Sequence, residues 1–342
     1  MGCSIRTKRL GMKRVIGIYL VLMTLGFISC SGKDELWVEE TVRLSVSVPV
    51  FDAEVHSRTS MTGSKAAFTG GDRIGVFETL TGSNNVAFSY NGTLWGTTTP
   101  VYWRNNTSIH TFYAYYPYTV SSQGLSVAIP VLNQQKVSTV PDAACDMLVT
   151  PVATTQTRSS STSVGLTMSH NFALLRFDIK MSVLSLLNPY VLDSLIVRGG
   201  NAQGGTGPYG MFNTTNDINR VSYNLSSKSF NLSPNNSTTC SQFLRVAPPS
   251  VNIQTTAVSV YVLILPGEYE NPSPAINLKL STLGILPKNT GFLVLPGSAS
   301  FKAGSMYVYQ VSVGLNLLGG TKAGGGEKEP VTLSVAIDRW FP

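Results

Sequence analysis

Histidine is scarce here, with three residues, and cysteine hardly more common, with four in 342. His56, His110 and His170 lack the His-x-x-x-His or paired Cys-x-x-Cys spacing that gathers ligands around a metal, so no metal site is expected. Charged side chains make up 13% of the chain, against about 25% in typical soluble proteins. The long Ala/Glu/Lys/Leu runs that build helical bundles are missing, which excludes that class. No Gly-x-Ser-x-Gly elbow and no phosphate-binding Gly-x-x-x-x-Gly-Lys-Ser/Thr loop occurs. The few carboxylates stand in no recognisable catalytic context, which leaves a paired-carboxylate glycosidase without support. No catalytic residue and no cofactor is assigned, and the chain is expected not to be an enzyme.

An apolar run long enough to span a bilayer is also lacking. The run from Val15 to Ile28 is about 14 residues, short of the roughly 20 that a transmembrane helix needs. It follows Lys13-Arg14 and ends at Ser29-Cys30, so residues 1–29 read as a secretory signal peptide, neater from Met12 than from Met1. The basic excess sits largely there, in Arg6, Lys8, Arg9, Lys13 and Arg14. Without them 20 basic side chains face 18 acidic ones, a net of +2, and no nucleic-acid partner is expected. Phe27-Ile28-Ser29-Cys30 resembles a bacterial lipobox with Phe27 where Leu is usual, which makes Cys30 the expected lipidation site. Two acyl chains suffice for stable anchoring, so the precursor is expected to be membrane-anchored, with residues 30–40 as a polar tether. Of the remaining cysteines, Cys145 and Cys240 either pair in an oxidising compartment or remain as two buried free thiols, the second being the expectation.

What is abundant is alternation. Val42, Leu44, Val46, Val48 and Val50 interleave with Thr41, Arg43, Ser45, Ser47 and Pro49, a strand with one buried face. Pro49 has no N–H to donate, which suits a strand end at a sheet edge. A polar loop, Ser57–Ser64, comes next. Short strands are then expected at Arg73–Glu78, Ala87–Tyr90, Ser108–Tyr115, Leu125–Ile129, Asp146–Thr150, Val164–Met168 and Leu174–Met181, with Thr154–Ser163 as a Ser/Thr loop. Later ones fall at Ser194–Arg198, Ser222–Leu225, Ser241–Val246, Ala257–Leu265, Ile276–Thr282, Ser305–Val313 and Val331–Ile337. Many short strands with regular turn signals predict an all-β chain of two β-sandwich domains, 41–184 and 185–342.

The last strand has its own alternation, Val331, Leu333, Val335 and Ile337. It either completes its own sandwich or is donated to a neighbour by β-augmentation. Burying four such side chains would contribute roughly 6–12 kcal/mol before the cost of ordering the segment. Gly319–Gly326 upstream is a flexible linker that lets the strand leave its parent. Tyr113, Tyr115, Tyr116 and Tyr118 alternate at strand spacing and fit a core better than a sugar-binding platform.

Several landmarks, in order, resemble the fimbrillin-like lipoproteins of Bacteroidetes. They are Phe68-Thr-Gly-Gly-Asp72-Arg-Ile-Gly-Val-Phe77, Phe112-Tyr-Ala-Tyr-Tyr-Pro-Tyr118, Asp146-Met-Leu148 and Met168-Ser-His-Asn-Phe172-Ala-Leu-Leu-Arg-Phe177. Gly304-Ser-Met-Tyr307-Val-Tyr309-Gln-Val and the closing Ile337-Asp-Arg-Trp340 complete the set. The acids after Cys30 are similar to a surface-export signal of such lipoproteins. The resemblance implies transthyretin-like sandwiches and a subunit or anchor of a type V pilus. It also implies an arginine-specific protease that removes an N-terminal strand, and a neighbouring pilus subunit whose strand fills the groove. By position, Val42–Val50 would be the displaced strand, Val331–Ile337 the donor and Arg58 the processing site. Arg43 lies inside a strand, and Arg73 opens one expected to stay in the mature domain. Asp193-Ser194-Leu195 resembles the short O-glycosylation acceptor of Bacteroidetes exported proteins, which makes Ser194 a candidate. Two other readings share the export signal: a monomeric surface lipoprotein that binds a host glycan or protein, and a pilus anchor that keeps its lipid. Residues 200–250 match no landmark.

Overall fold

The computed structural model describes residues 40–48, 68–136, 139, 141–181, 190–198, 210–232, 240–241, 243–246, 251–253, 256–269, 275–282, 285–294 and 299–313. Contacts divide the chain into Met1–Glu40 and Thr41–Pro342, and every described strand belongs to the second unit. That unit is all-β: among the described residues the only helical turn is a 3-10 turn at Leu132–Gln134. Most pairings are antiparallel, as hairpin-rich sequences with short turns favour.

The larger sheet of the N-terminal half runs in the order Ser169–His170, Leu148–Val149, His110–Tyr116, Arg73–Glu78, Ser83–Tyr90, Trp95–Gly96, with Thr154–Gln156 also paired to His110–Tyr116. Successive side chains of a strand point to opposite faces, and here each face meets a different core. Val76, Ala114 and Leu148 join a cluster with Val42, Leu44, Ile74, Phe88, Trp103, Phe112, Val164 and Leu166. Their neighbours Phe77, Tyr115 and Val149 join a larger cluster with Phe172, Phe177, Val260, Val262, Met306 and Tyr309. Burial on both faces explains why Ile74–Phe77, inside the strand Arg73–Glu78, reads as a continuous apolar run. It also explains Gly75: a Cβ there would lie 2.1 Å from Cε1 of the Tyr115 ring.

The strand expected at Leu174–Met181 is present, and its partners lie far along the chain. It runs over Ala173–Met181, antiparallel to Val258–Ile264 and parallel to Met306–Val313. Its physical demand is burial on both sides, since Leu174, Leu175, Phe177 and Ile179 are all buried and only late strands supply partners. A second ladder, Val221–Asn224 against Ser126–Ala128, also joins early to late sequence. The expected boundary between 184 and 185 itself lies outside the described residues. The Ser/Thr loop expected at Thr154–Ser163 is corrected, since Thr154–Gln156 is a strand. Cys145 is a buried free thiol, and burial, with Asp142 beside it, pushes its pKa up to about 12.

The first strand over a hydrophobic groove

The first strand, β1 (Arg43–Ser47), shows the burial alternation that the sequence predicts. Val42 and Leu44 are buried, Val46 and Val48 pack against the same cluster, and Arg43, Ser45 and Ser47 face solvent. β1 lies parallel to Ser163–Thr167, with Leu44 opposite Val164 and Val46 opposite Leu166. The ladder is closed by Arg43 N–H to Thr162 O at 3.3 Å and by Met168 N–H to Ser47 O at 2.9 Å. At its start β1 is also held from the other edge, where Thr41 bridges Tyr102 and Val42 N–H donates to Val101 O at 2.8 Å.

The groove under β1 is walled by Val101, Trp103, Val164, Leu166 and Met168, all buried. Its floor rests on buried polar chemistry. Trp103 packs edge-on against His110 with centroids 4.9 Å apart, and the Arg104 N–H donates to His110 Nε2 at 3.2 Å. His110 Nδ1 lies 3.1 Å from Glu78 Oε1, both side chains being fully buried. The Glu78 carboxylate also accepts the Leu80 and Thr81 N–H groups at 2.7 Å each, and the Thr81 hydroxyl. A buried carboxylate met by three donors and an imidazole is a satisfied structural group, the usual condition for burial of charge.

β1 thus carries the residues expected of a displaced strand up to Val48, while Val50 lies outside the described residues, as do Cys30, Arg58 and the candidate donor Val331, Leu333, Val335 and Ile337. Ser194 falls in the strand Tyr190–Arg198, where the ladder with Ala275–Thr282 shifts register between Leu192 and Ser194. On the other side that strand pairs with Val251–Ile253 up to Leu192 and with Phe243–Val246 from Leu195, so Ser194 sits at the gap between two ladders. His170 contacts the Asp146 carboxylate through Nδ1 at 2.8 and 2.9 Å, a structural pairing at a strand entrance, and His56 lies outside the described residues. Of the tyrosines, Tyr115 fills the core, while Tyr113, Tyr116 and Tyr118 are half-buried. Tyr116 packs against Phe68, and Arg73 stacks on Tyr118 at 4.6 Å. Among the described residues no group of three His, Cys, Asp or Glu side chains is placed to hold a metal.

The groove walls at Val101–Trp103 and Val164–Met168 were not singled out by sequence reasoning. Val164–Met168 was expected as a strand from its alternation, but nothing in that period marks it, or Val101–Trp103, as a wall under β1.

A fimbrium tip subunit candidate of Bacteroides ovatus, Fim1C, is 33% identical over 115 residues, covering 31% of this chain. The match spans only 21% of that relative's length. A candidate cell adhesion protein of Bacteroides uniformis superposes with a TM-score of 0.53 at 16% identity, over 89% of this chain and 99% of that one. A fimbrial protein of Bacteroides vulgatus gives 0.50 at 15%, over 88% and 99%. At such identities these likenesses speak for the fold. A family described as fimbrillin-like matches residues 58–340, nearly the whole of the second unit, and the chain belongs to that family of structural, non-enzymatic fimbrial proteins at the cell surface.

Proposed function

We propose that this chain is a fimbrial subunit carried to the outer membrane as a lipoprotein on Cys30 and polymerised by proteolysis-triggered strand exchange. Cleavage after Arg58 by an arginine-specific protease would release the lipid anchor and β1 in one step. A neighbouring subunit would then fill the groove with Val331–Ile337. The observation that carries this reading is the placement of β1: it seals the groove from a position ahead of residue 58, where the family match begins. Every residue of the groove wall lies after that point, so a single cut separates the lid from the walls. Host contact through a surface glycan or protein would be a property of the assembled fibre.

The test is the N-terminal residue of material sheared from cells, with gels run without boiling. The reading expects Thr59 at the N-terminus and a ladder of stable oligomers. An Arg58→Ala chain is expected to remain full-length, lipidated and monomeric; normal polymers with an unchanged N-terminus would overturn Arg58 as the switch. A palmitate analogue should label the wild type and miss Cys30→Ala. For Ser194, intact mass decides: loss of a glycan mass in Ser194→Ala supports modification, and no change removes it.

A further inference from the structure

Three asparagines fold their side chains back over the residues that follow them. Asn91 Oδ1 accepts the N–H groups of Thr93 at 2.9 Å and Leu94 at 2.8 Å. Asn105 Oδ1 does the same for Thr107 and Ser108, and Asn224 Oδ1 for Ser226 and Ser227. What sets them apart is the next residue. Leu225 is buried and its N–H donates to Leu125 O at 3.0 Å. Asn106 carries a side chain beside its nitrogen, and Gly92 carries none. Asn91-Gly92 is the only Asn-Gly pair in the sequence.

The pair is also open to water. Asn91 and Gly92 are both exposed, and a Cβ built on Gly92 would meet nothing within 4 Å. Among the described residues the Gly92 N–H donates to no partner. Its φ of +98° lies in the region that favours glycine, so the turn itself calls for the unhindered residue.

We infer that Asn91 is a self-modification site, converted to aspartate and isoaspartate by attack of the Gly92 backbone nitrogen on the Asn91 side-chain amide. The Gly92 N–Cγ bond forms and closes a succinimide ring. The Cγ–Nδ2 bond breaks, and Nδ2 leaves as ammonia with the proton of the Gly92 N–H. Water then opens the ring. Addition at Cγ breaks the Gly92 N–Cγ bond and leaves aspartate in place of Asn91. Addition at the backbone carbonyl breaks the bond from that carbon to the Gly92 nitrogen and routes the main chain through the side chain, as isoaspartate. One ammonia is exchanged for one water, with no oxidant or other reagent. Negative charge builds on Oδ1 during the attack, where the Thr93 and Leu94 N–H groups are already in place to receive it.

The site lies in the turn between Ser83–Tyr90 and Trp95–Gly96, the outermost strand of the larger sheet. Aspartate adds a negative charge there and still accepts the two N–H groups. Isoaspartate adds a carbon to the main chain beside Tyr90 and Trp95, which pair across the turn with ring centroids 5.1 Å apart. A subunit that stays at the cell surface therefore gains charge at this edge with time, whatever the mode of assembly.

Storage of the folded, full-length protein at neutral pH tests this. Anion-exchange chromatography is expected to show a growing acidic form, and mass mapping of the tryptic peptide Ile74–Arg104 to place aspartate and isoaspartate at position 91. The peptides that carry Asn105 and Asn224 should stay unchanged, because the donors are present there and the open glycine nitrogen is not. Asn91→Gln should lose the acidic form, and Asn91→Asp should elute with it from the start. Conversion in the folded chain is expected to be at least as fast as in urea. An acidic form that persists in Asn91→Gln, or that maps to other asparagines, overturns the site. Slower conversion in the folded chain than in urea overturns the inference as well, since the turn would then protect Asn91 instead of assisting the attack.

Discussion

β1 and the Ala173–Met181 strand both run parallel to a partner more than a hundred residues away, β1 beside Ser163–Thr167 and the other beside Met306–Val313. Their surroundings differ. Ala173–Met181 has an eight-residue ladder on one side and a seven-residue ladder on the other, with Arg176 and Asp178 paired at 2.7 Å. β1 has one five-residue ladder, a single bridge on its opposite edge and three of its five side chains in water. Parallel pairing requires a long connection in both cases, but only β1 lies at an end of the unit, joined to the body by one peptide segment. The comparison shows how unequally two parallel strands can be held, one by ladders on both edges and the other by a ladder on one edge and a bridge on the other.

The sharpest way to break the comparison is at the strand held on both sides. Phe177 is fully buried and stacks on Tyr309 with centroids 5.4 Å apart. Phe177→Ala is expected to cost about 3–5 kcal/mol in urea unfolding, through lost contact and a cavity that a two-sided strand cannot close. A loss below about 1 kcal/mol would show that this strand is not the keystone its ladders suggest.

Leu44→Ala should cost less, about 2 kcal/mol, because the margin of the groove relaxes around a shorter side chain. The distribution matters more than the size. Amide exchange is expected to rise at Arg43 and Met168, whose bonds close the β1 ladder, and at Val42, bonded on the opposite edge, while Ala173–Met181 keeps its protection. A uniform rise over both strands would mean that β1 and the body open together, against separability.

Tyr115 tests the shared sheet between the two cores. Its hydroxyl lies 2.8 Å from both Asn85 Oδ1 and Thr119 O, and accepts the Thr119 N–H at 3.2 Å. Burial raises its pKa from 10.0 to about 12, and Tyr116 likewise, burial first and then the Asp72 carboxylate. A folded value above the unfolded one means that the proton is held more tightly in the native state. That stabilisation is complete below pH 10 and is lost as pH rises from 10 towards 12. Tyr115→Phe is expected to cost about 1 kcal/mol at neutral pH from the lost bonds. It should also flatten the alkaline decline, which urea midpoints across that pH range would record. An unchanged slope would mean that Tyr115 does not titrate with unfolding.

Much of this was legible in the sequence because alternation is a direct record of one-sided burial. β1 follows its pattern residue by residue through Val48, and Arg73–Glu78 begins and ends where expected. The pattern gave no pairing partners for strands buried on both faces, and it missed strands that are interrupted or lack apolar residues. Ala173–Met181 was visible as a strand, yet its partners Val258–Ile264 and Met306–Val313 lie far along the chain, and periodicity carries no address. Ile285–Val294 contains Pro287 and Gly291, which read as turn punctuation, yet it forms a strand whose pairing shifts register twice. Thr154–Gln156 has no apolar residue to reveal it. For the site, the lid was readable from its period, while the walls at Val101–Trp103 depended on a non-local bridge to Thr41.

The smallest effect is expected on the outward face of β1. Ser47 Oγ lies 3.4 Å from Thr167 Oγ1 across the ladder, on an exposed surface where water competes for both hydroxyls. A bond that long, in water, contributes little, so Ser47→Ala should change stability by less than about 0.5 kcal/mol. The backbone bond from Met168 N–H to Ser47 O, at 2.9 Å, does not depend on the side chain and survives the substitution. Differential scanning calorimetry of the uncleaved chain should therefore place the two melting temperatures within a degree or two of each other. A drop comparable to that of Leu44→Ala would mean that the solvent face, and not the apolar one, holds β1 in place.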